Sequence, residues 1–179
     1  MRKKILWITE TAVMLALLVA VQGITSGLGN QFVTGSCVNL ILAVTALMVG
    51  LWGGVAVAAI SPFVAFLFGI GPKFIQLIPV IAAGNLVLVL VLWSLLGRGK
   101  NQLWLRLVAW LTAAAAKFAA LYLLMVKLVV PALVAGGTIP QKAAATISVQ
   151  FGWPQLVTAL IGGALALLIV PVLRRALKR

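Results

Sequence analysis

The sequence predicts an all-α integral membrane protein, a compact single-domain bundle of six transmembrane helices with the N- and C-termini in the cytoplasm. Three observations predict this fold class. Hydrophobic residues make up 64% of the 179 residues, and the mean hydropathy is +1.25. Glu10 is the only acidic residue, and histidine is absent. Long apolar runs recur from end to end, so lipid is the expected solvent for most of the surface.

Each apolar run is compared with the roughly 20 residues that a membrane-spanning helix needs. The first run is longer than the hydrophobic region of a signal peptide, so it is expected to be a retained helix. Gly53 and Gly54 are expected to separate the second run from the third. Because both of these runs are short, an alternative is a bundle of four spans in which they form a re-entrant pair. The predicted helices of the single domain, 1–179, cover residues 5–22, 37–51, 55–68, 74–96, 103–134 and 153–173.

The basic residues determine the expected orientation. Ten of the 14 lie in three clusters that adjoin apolar runs, and an even number of spans places all three clusters in the cytoplasm, as the positive-inside rule requires. Attraction to anionic headgroups explains the same residues, so no nucleic-acid partner is expected. The clusters are Arg2, Lys3 and Lys4; Arg98, Lys100 and Arg106; and Arg174, Arg175, Lys178 and Arg179.

The segments expected at the outer face differ from the short inner turns. Residues 23–36 and 135–150 are long, contain glycine and carry one charge, Lys142. Loops of this length in a compact bundle are more often lids or binding loops than plain connections. A binding site is therefore expected at the outer face.

Lys117 is the most informative single residue, because it lies among alanines in the middle of the fifth predicted helix. A lysine at that depth costs roughly 2.5–3.5 kcal/mol on insertion scales, so it requires an anion or water. An anionic group on a substrate, Glu10 and a water-filled cavity are the three alternatives. Lys127, ten residues later, lies near the outer surface and can extend to it.

Other polar residues are candidates for a pocket. Lys73 and Gln76 open the fourth helix, while Asn85 lies about 180° around from Gln76, so both cannot face one cavity. Asn85 could equally bond a neighbouring helix. Trp153 is more typical of an interfacial anchor than of a stacking partner for a ligand. A polar cluster at the outer end of the second helix contains Asn30, Gln31, Thr34, Ser36 and Asn39.

The sequence offers almost no groups for catalysis or metal binding. One cysteine, Cys37, excludes an internal disulfide, and the lack of histidine removes the usual ligand of zinc and copper. A single carboxylate provides no partner for general acid–base chemistry, and no phosphate-binding loop is present. We therefore expect no catalytic residues, no metal and no cofactor.

The first helix carries Ala12, Ala16 and Ala20 four residues apart, which places them on one face. Small residues there allow another helix to approach closely, either within the bundle or from a partner protein. Glu10 lies about 160° around from Ala12 and is expected to form an ion pair with Arg98 or Arg106.

These features together resemble the substrate-binding (S) component of energy-coupling factor (ECF) transporters, over essentially the whole chain. The most specific elements are the alanine pattern of the first helix, residues 35–40 (GSCVNL), Ser61-Pro62 and residues 69–72 (GIGP). The resemblance implies high-affinity capture of a vitamin or related metabolite at the outer face of the bacterial cell membrane. It also implies a membrane coupling subunit that docks on the alanines, two ATP-binding-cassette ATPases and inward delivery by toppling.

The resemblance implies a ligand site formed by Asn30, Gln31, Lys73, Gln76, Asn85, Lys117, Lys127 and Trp153, to which the polar cluster adds Asn39. The arginine- or aspartate-bearing signatures of riboflavin, thiamine and folate carriers are missing, so the vitamin is unassigned. A non-transport scaffold subunit of a cell-envelope complex and a solitary small carrier are the rival hypotheses. Lys117 argues against the hypothesis of a pure scaffold, because a scaffold protein has little use for a lysine in the middle of a membrane helix.

Overall fold

A computed structural model describes residues 2–97 and 102–177, with side chains from Lys4 onward. All regular structure in these two ranges is helical, and a π-helical segment, Tyr122–Val129, joins α5 to α6 without a break. A single 3-10 turn, Ile75–Leu77, precedes α4. The helices are α1 (Arg2–Ser26), α2 (Gln31–Met48), α3 (Leu51–Leu67), α4 (Ile78–Leu96), α5 (Leu103–Leu121), α6 (Val130–Ala135), α7 (Gln141–Gln150) and α8 (Trp153–Ala176).

Helix length and composition identify a multi-pass membrane protein. Within the described ranges, five segments are long and apolar enough to cross a bilayer: Lys4–Ser26, Gln31–Met48, Ile75–Leu96, Leu103–Ala135 and Gln141–Ala176. The apolar helix α3 is shorter, with 17 residues. At 1.5 Å per residue it extends about 26 Å, close to the roughly 30 Å of a hydrocarbon core.

The expected break at Gly53 and Gly54 is wrong. The chain turns at Gly50, which has a φ of +102° that favours glycine, and α3 begins directly after it. Gly53 and Gly54 are buried inside α3. A Cβ atom at Gly54 would lie 2.8 Å from Val89 Cγ1, so this glycine permits close packing of α3 on α4.

The two segments expected to be long loops are also largely helical, which corrects the sequence-based boundaries. Within residues 23–36, α1 continues to Ser26 and α2 begins at Gln31. Asn30 caps α2, since its Oδ1 accepts a hydrogen bond of 2.9 Å from the Phe32 amide. Within residues 135–150, α7 occupies Gln141–Gln150. Polar composition indicated loops here, but several of these polar side chains, such as Gln31 and Gln150, line a cavity, and Asn30 caps a helix.

The π-helical segment has a local cause at its C-terminal end. The Val130 amide donates to the Met125 carbonyl, five residues back. Pro131 follows, and it has no amide hydrogen to close a regular turn on Lys127. Such segments concentrate at functional sites. Here the segment begins directly after Leu121, a cavity-lining residue.

The pair α2 and α8 forms the centre of the bundle. Their backbones approach closely, because a Cβ atom at Gly162 would lie 2.5 Å from the Ser36 carbonyl oxygen and 2.7 Å from Asn39 Cβ. Small residues at a helix interface permit this approach in membrane proteins. The Trp110 indole adds a link from α5, donating 2.9 Å to the Leu160 carbonyl.

Two apolar clusters divide the bundle. The larger one, which we call the packed half, is formed mainly by α2, α3, α4, α5 and α8 and includes Leu42, Val57, Val89 and Ala113. The smaller one brings together residues around the start of α4, the π-helical segment, α6 and α7. Its buried members are Leu77, Leu121, Met125, Val130, Ile139, Ala144, Ile147 and Phe151. We call this end, with the adjoining turn between α1 and α2, the cavity half.

Lys4, Arg106, Arg174 and Arg175 lie at the opposite end, where α1 begins, α5 begins and α8 ends. Arg174 on α8 donates 3.1 Å to the Leu47 carbonyl, one of the last carbonyls of α2. Arg106 lines the same small recess as Arg174. The side chains of Arg2 and Lys3, residues 98–101, Lys178 and Arg179 lie outside the described part of the chain. The proposed pairing of Glu10 with Arg98 lies outside it too.

Candidate functional site

A cavity of about 330 Å³ lies in the cavity half. It is bounded by the end of α1, the first turns of α2, the connection between α3 and α4, the first half of α4, the middle of α5 and the turn between α7 and α8. Its size is at the lower end of the range for small-molecule pockets. Apolar walls are provided by Val38, Pro62, Ala65, Ile70, Pro72, Ile78, Ile81, Leu121 and Phe151.

Lys117 lies at the base of the cavity, 3% exposed. Its Nζ donates to Asn39 Oδ1 at 2.6 Å and to Asn85 Oδ1 at 2.7 Å. Both asparagines are buried, Asn39 at 2% and Asn85 at 3% exposure. These three residues come from α5, α2 and α4, so one hydrogen-bonded group joins three helices. Both oxygen partners belong to neutral amides, and Glu10 is not among the hydrogen-bond partners of Nζ.

A second link fixes the orientation of Asn39. Its Nδ2 donates 3.3 Å to Thr158 Oγ1, and this hydroxyl in turn donates 3.2 Å to the Gln155 carbonyl. Thr158 is fully buried where α2 and α8 pack. A Cβ atom at Gly35 would lie 2.8 Å from Thr158 Cγ2. Close helix packing therefore determines which way the Asn39 oxygen points.

The mouth of the cavity is held by a different set of contacts. Gln31 Nε2 donates to the Gln150 carbonyl, and Gln155 Nε2 donates to the same oxygen at 3.2 Å. This carbonyl is at the C-terminal end of α7, where helical partners are lacking. Outside it, the rings of Phe32 and Trp153 lie 5.6 Å apart. The start of α2 is thereby connected to the turn between α7 and α8.

Amides dominate the polar lining. The sequence contains four asparagines and seven glutamines, and seven of these eleven residues line the cavity. Lys117 is the only charged residue among those that line it in the described structure. The one acidic residue, Glu10, lies twelve positions before Gln22 on α1, about 18 Å along the helix. The seven amides are Gln22, Asn30, Gln31, Asn39, Asn85, Gln150 and Gln155.

The nine residues proposed from the sequence fall into two groups. Asn30, Gln31, Asn39, Asn85 and Lys117 line the cavity. The other four do not: Lys73 and Gln76 are exposed, Lys127 Nζ lies 5.4 Å above the Tyr122 ring, and Trp153 is 60% exposed beside Phe32. Asn85 lines the cavity and Gln76 does not, but Gln76 lies in the 3-10 turn before α4, where the angular argument for a single α-helix does not apply.

Three of the seven cavity amides, Gln22, Gln150 and Gln155, are not among the site residues proposed from the sequence. Gln22 is the clearest omission, because the apolar pattern of the sequence places it at the end of the first predicted helix, 5–22. Its Oε1 is buried without a hydrogen-bond partner in the described structure. The signal that could have identified Gln22 is its position. It is a polar residue at the end of an apolar run, at the end of the bundle where the other amides lie.

Two further observations concern the alanine face of α1 and the possibility of a metal site. Ala12, Ala16 and Ala20 are exposed on α1, while Leu18 on the opposite side is fully buried. Within the described ranges, no three His, Cys, Asp or Glu side chains come together as a metal site would require. The cavity can therefore bind through hydrogen bonds, one lysine and apolar contact.

Comparison with known protein families gives one assignment. A sequence model of the family described as "ECF transporter, substrate-specific component" matches residues 8–174. Comparisons with curated proteins and with solved structures each found no significant match. The family match covers the whole cavity and nearly every described helix. The chain therefore belongs to the substrate-specific components of ECF transporters.

Proposed function

We propose that this chain is the capture subunit of an ECF-type importer and binds a vitamin or related small metabolite with high affinity in the cavity. The observation that carries the proposal is the Lys117–Asn39–Asn85 group at the base of a cavity of about 330 Å³. Buried polar groups in membrane helices are costly, and they mark substrate pathways when they face a cavity. Asn30 and Gln31 complete the proposed site at the mouth.

The distribution of charge supports an outward-facing cavity, and we propose that the surrounding membrane is that of a bacterial cell. Lys4, Arg106 and Arg174 lie at the end of the bundle opposite the cavity. Because basic residues remain on the cytoplasmic side, that end is proposed to be cytoplasmic. Counting α3 as a short span gives six crossings, which places both termini inside.

The exposed alanines of α1 support a docking role. Ala12, Ala16 and Ala20 leave a shallow face on a helix whose other side packs in the bundle. Small residues allow a partner helix to approach closely, which compensates for the lack of a hydrophobic driving force in lipid. We propose that a membrane coupling subunit docks here and that two ATP-binding-cassette subunits supply ATP hydrolysis. Delivery would follow by toppling, in which the whole loaded bundle rotates in the membrane and releases its ligand on the inner side.

Mass spectrometry of the protein extracted gently from its native membrane tests the whole proposal. We expect a coupling subunit, two cassette ATPases and a retained small molecule. Recovery of cell-wall synthesis proteins without a small molecule would instead indicate a scaffold. Recovery of the chain alone with a bound molecule would indicate a solitary carrier.

The docking role is tested by Ala16→Leu. The larger side chain should block assembly with the coupling subunit and abolish uptake, while binding in the cavity stays unchanged because Ala16 does not line it. Ala115→Leu is the matched control, since Ala115 is exposed on α5. Normal uptake by the Ala16 variant would contradict the docking surface. Loss of uptake by both variants would contradict its location.

A further inference from the structure

The charge of Lys117 is not balanced inside the cavity. Its two oxygen partners belong to neutral amides, and no acidic residue lies among those that line the cavity. Glu10, the only acid in the sequence, lies twelve residues before Gln22 on α1, about 18 Å along the helix. In its ammonium form, a lysine at this depth therefore needs its counter-charge from a molecule that enters the cavity.

The base of the cavity presents donors. A lysine ammonium has three N–H donors, and two are used by Asn39 and Asn85. Asn85 turns its oxygen toward Lys117, so its Nδ2 is the atom left for another partner. The described structure shows no bond from that nitrogen to the protein. One ammonium hydrogen and one amide group thus remain for an acceptor group on a ligand.

The mouth of the cavity presents acceptors. Gln31 and Gln155 both donate through Nε2 to the Gln150 carbonyl, which leaves the Oε1 atom of each side chain available. Gln22 Oε1 has no hydrogen-bond partner in the described structure. Between mouth and base the wall is apolar, formed by residues such as Val38, Ile81 and Leu121.

Resting on the capture function proposed above, we infer that the substrate is a monocarboxylic acid bound with its carboxylate at Lys117 and Asn85. An apolar stretch lies along the wall, and a hydroxyl or N–H group donates to the glutamines at the mouth. One lysine compensates one negative charge, which favours a carboxylate over a phosphate dianion. Cationic molecules are rejected, because nothing in the cavity neutralises them and Lys117 repels them.

The experiment uses the purified full-length protein and a concentrated yeast extract, separated at neutral pH by ion exchange into anionic, neutral and cationic fractions. Protection against thermal unfolding is measured for each fraction. The anionic fraction should stabilise the protein. Amidation of its carboxylates with carbodiimide and ammonia should abolish the effect, whereas phosphatase treatment should leave it unchanged.

Three variants connect the result to the site. Lys117→Met should require roughly 10- to 100-fold more of the anionic fraction for equal stabilisation, because a hydrogen bond to a charged group is lost. Asn85→Asp places a carboxylate where Oδ1 now lies 2.7 Å from Nζ. This variant should fold at least as stably and lose its response to the anionic fraction. Lys127→Met is the matched control and should respond as wild type does, since Lys127 lies outside the cavity.

Each outcome supports or contradicts one statement. Stabilisation by the neutral or cationic fraction alone would overturn the carboxylate assignment but leave capture intact. Survival of the anionic effect in Asn85→Asp, or its loss after phosphatase treatment, would also overturn it. Lack of stabilisation by any fraction would count against the capture function itself. If Lys117→Met fails to fold, Asn85→Asp decides alone.

Discussion

One turn of α8 separates two residues that serve different purposes. Gly162 allows the backbones of α2 and α8 to touch, whereas Thr158 hydrogen-bonds Asn39 at the base of the cavity. In the packed half, small residues remove space between helices, and in the cavity half the same helices direct amides into the remaining space. The comparison indicates that packing of α2 on α8 holds the site in place.

The two lysines that follow one another along α5 and the π-helical segment make the same comparison at the level of single residues. Lys117 is buried and bonded to two helices, while Lys127 is exposed and lies over Tyr122. Their sequence surroundings are similarly apolar. Their roles differ because only Lys117 faces the interior of the bundle.

The largest expected effect comes from filling the close contact in the packed half. Gly162→Ala places a Cβ atom 2.5 Å from the Ser36 carbonyl oxygen, which backbone atoms cannot easily avoid. Overpacking of this kind costs about 1–3 kcal/mol, or roughly 3–10 °C in Tm. Thermal unfolding in detergent measures the change.

The matched control for this prediction is Gly23→Ala. Gly23 is also helical but exposed, and its added Cβ would meet Ile70 Cδ1 at an ordinary 3.7 Å. Its Tm should stay the same or rise slightly, because alanine favours the helix. Equal destabilisation by both variants would break the distinction between the two halves.

A smaller effect is expected at Thr158, which lies where α2 packs on α8 and also hydrogen-bonds Asn39 in the site. Thr158→Val keeps the shape of the side chain but removes the acceptor of Asn39 Nδ2. The lost bond should cost about 1 kcal/mol, seen as about 2–4 °C in Tm and about fivefold weaker response to the stabilising extract fraction. Thr146→Val, at an exposed threonine of α7, should change neither quantity. An unchanged response in the Thr158 variant would show that Asn39 needs no support from α8.

The smallest effect is expected at the mouth. Gln31→Ala removes one of two donors to the Gln150 carbonyl, and Gln155 still satisfies that oxygen. Binding should weaken less than about fivefold, mainly through faster dissociation, as is usual for interface changes. Gln141→Ala, on the exposed start of α7, is the control. A loss as large as that of Lys117→Met would mean that the mouth contributes more to binding than the base.

Much of the fold could be predicted from hydrophobic runs alone, because helices are the way to satisfy backbone groups in lipid without a closed barrel. The errors concern boundaries. Gly53 and Gly54 suggested a turn, yet they permit α3 to pack on α4, and the turn is at Gly50. Residues 23–36 suggested a loop because they are polar, yet Asn30 caps a helix there.

The site was only partly predictable from the sequence. Lys117 is conspicuous in any apolar helix, and the chain offers few other polar residues in mid-helix. The polar cluster indicates Asn39 and the family resemblance implies Asn85, but their joint contact with Lys117 depends on three helices meeting. Lys73, Gln76 and Lys127 have suitable side chains, but they lie outside the cavity lining.

Composition and residue order were enough to predict a protein surrounded by lipid, three basic clusters that mark one end, and a mid-helix lysine without an acidic neighbour along the chain. These properties depend on composition and local order, which any helical arrangement preserves. Which amides reach Lys117 depends on the tertiary structure, because helix rotation and the close α2–α8 contact select the face that each residue presents. A rotation of one residue, about 100°, would turn any of them away from the cavity.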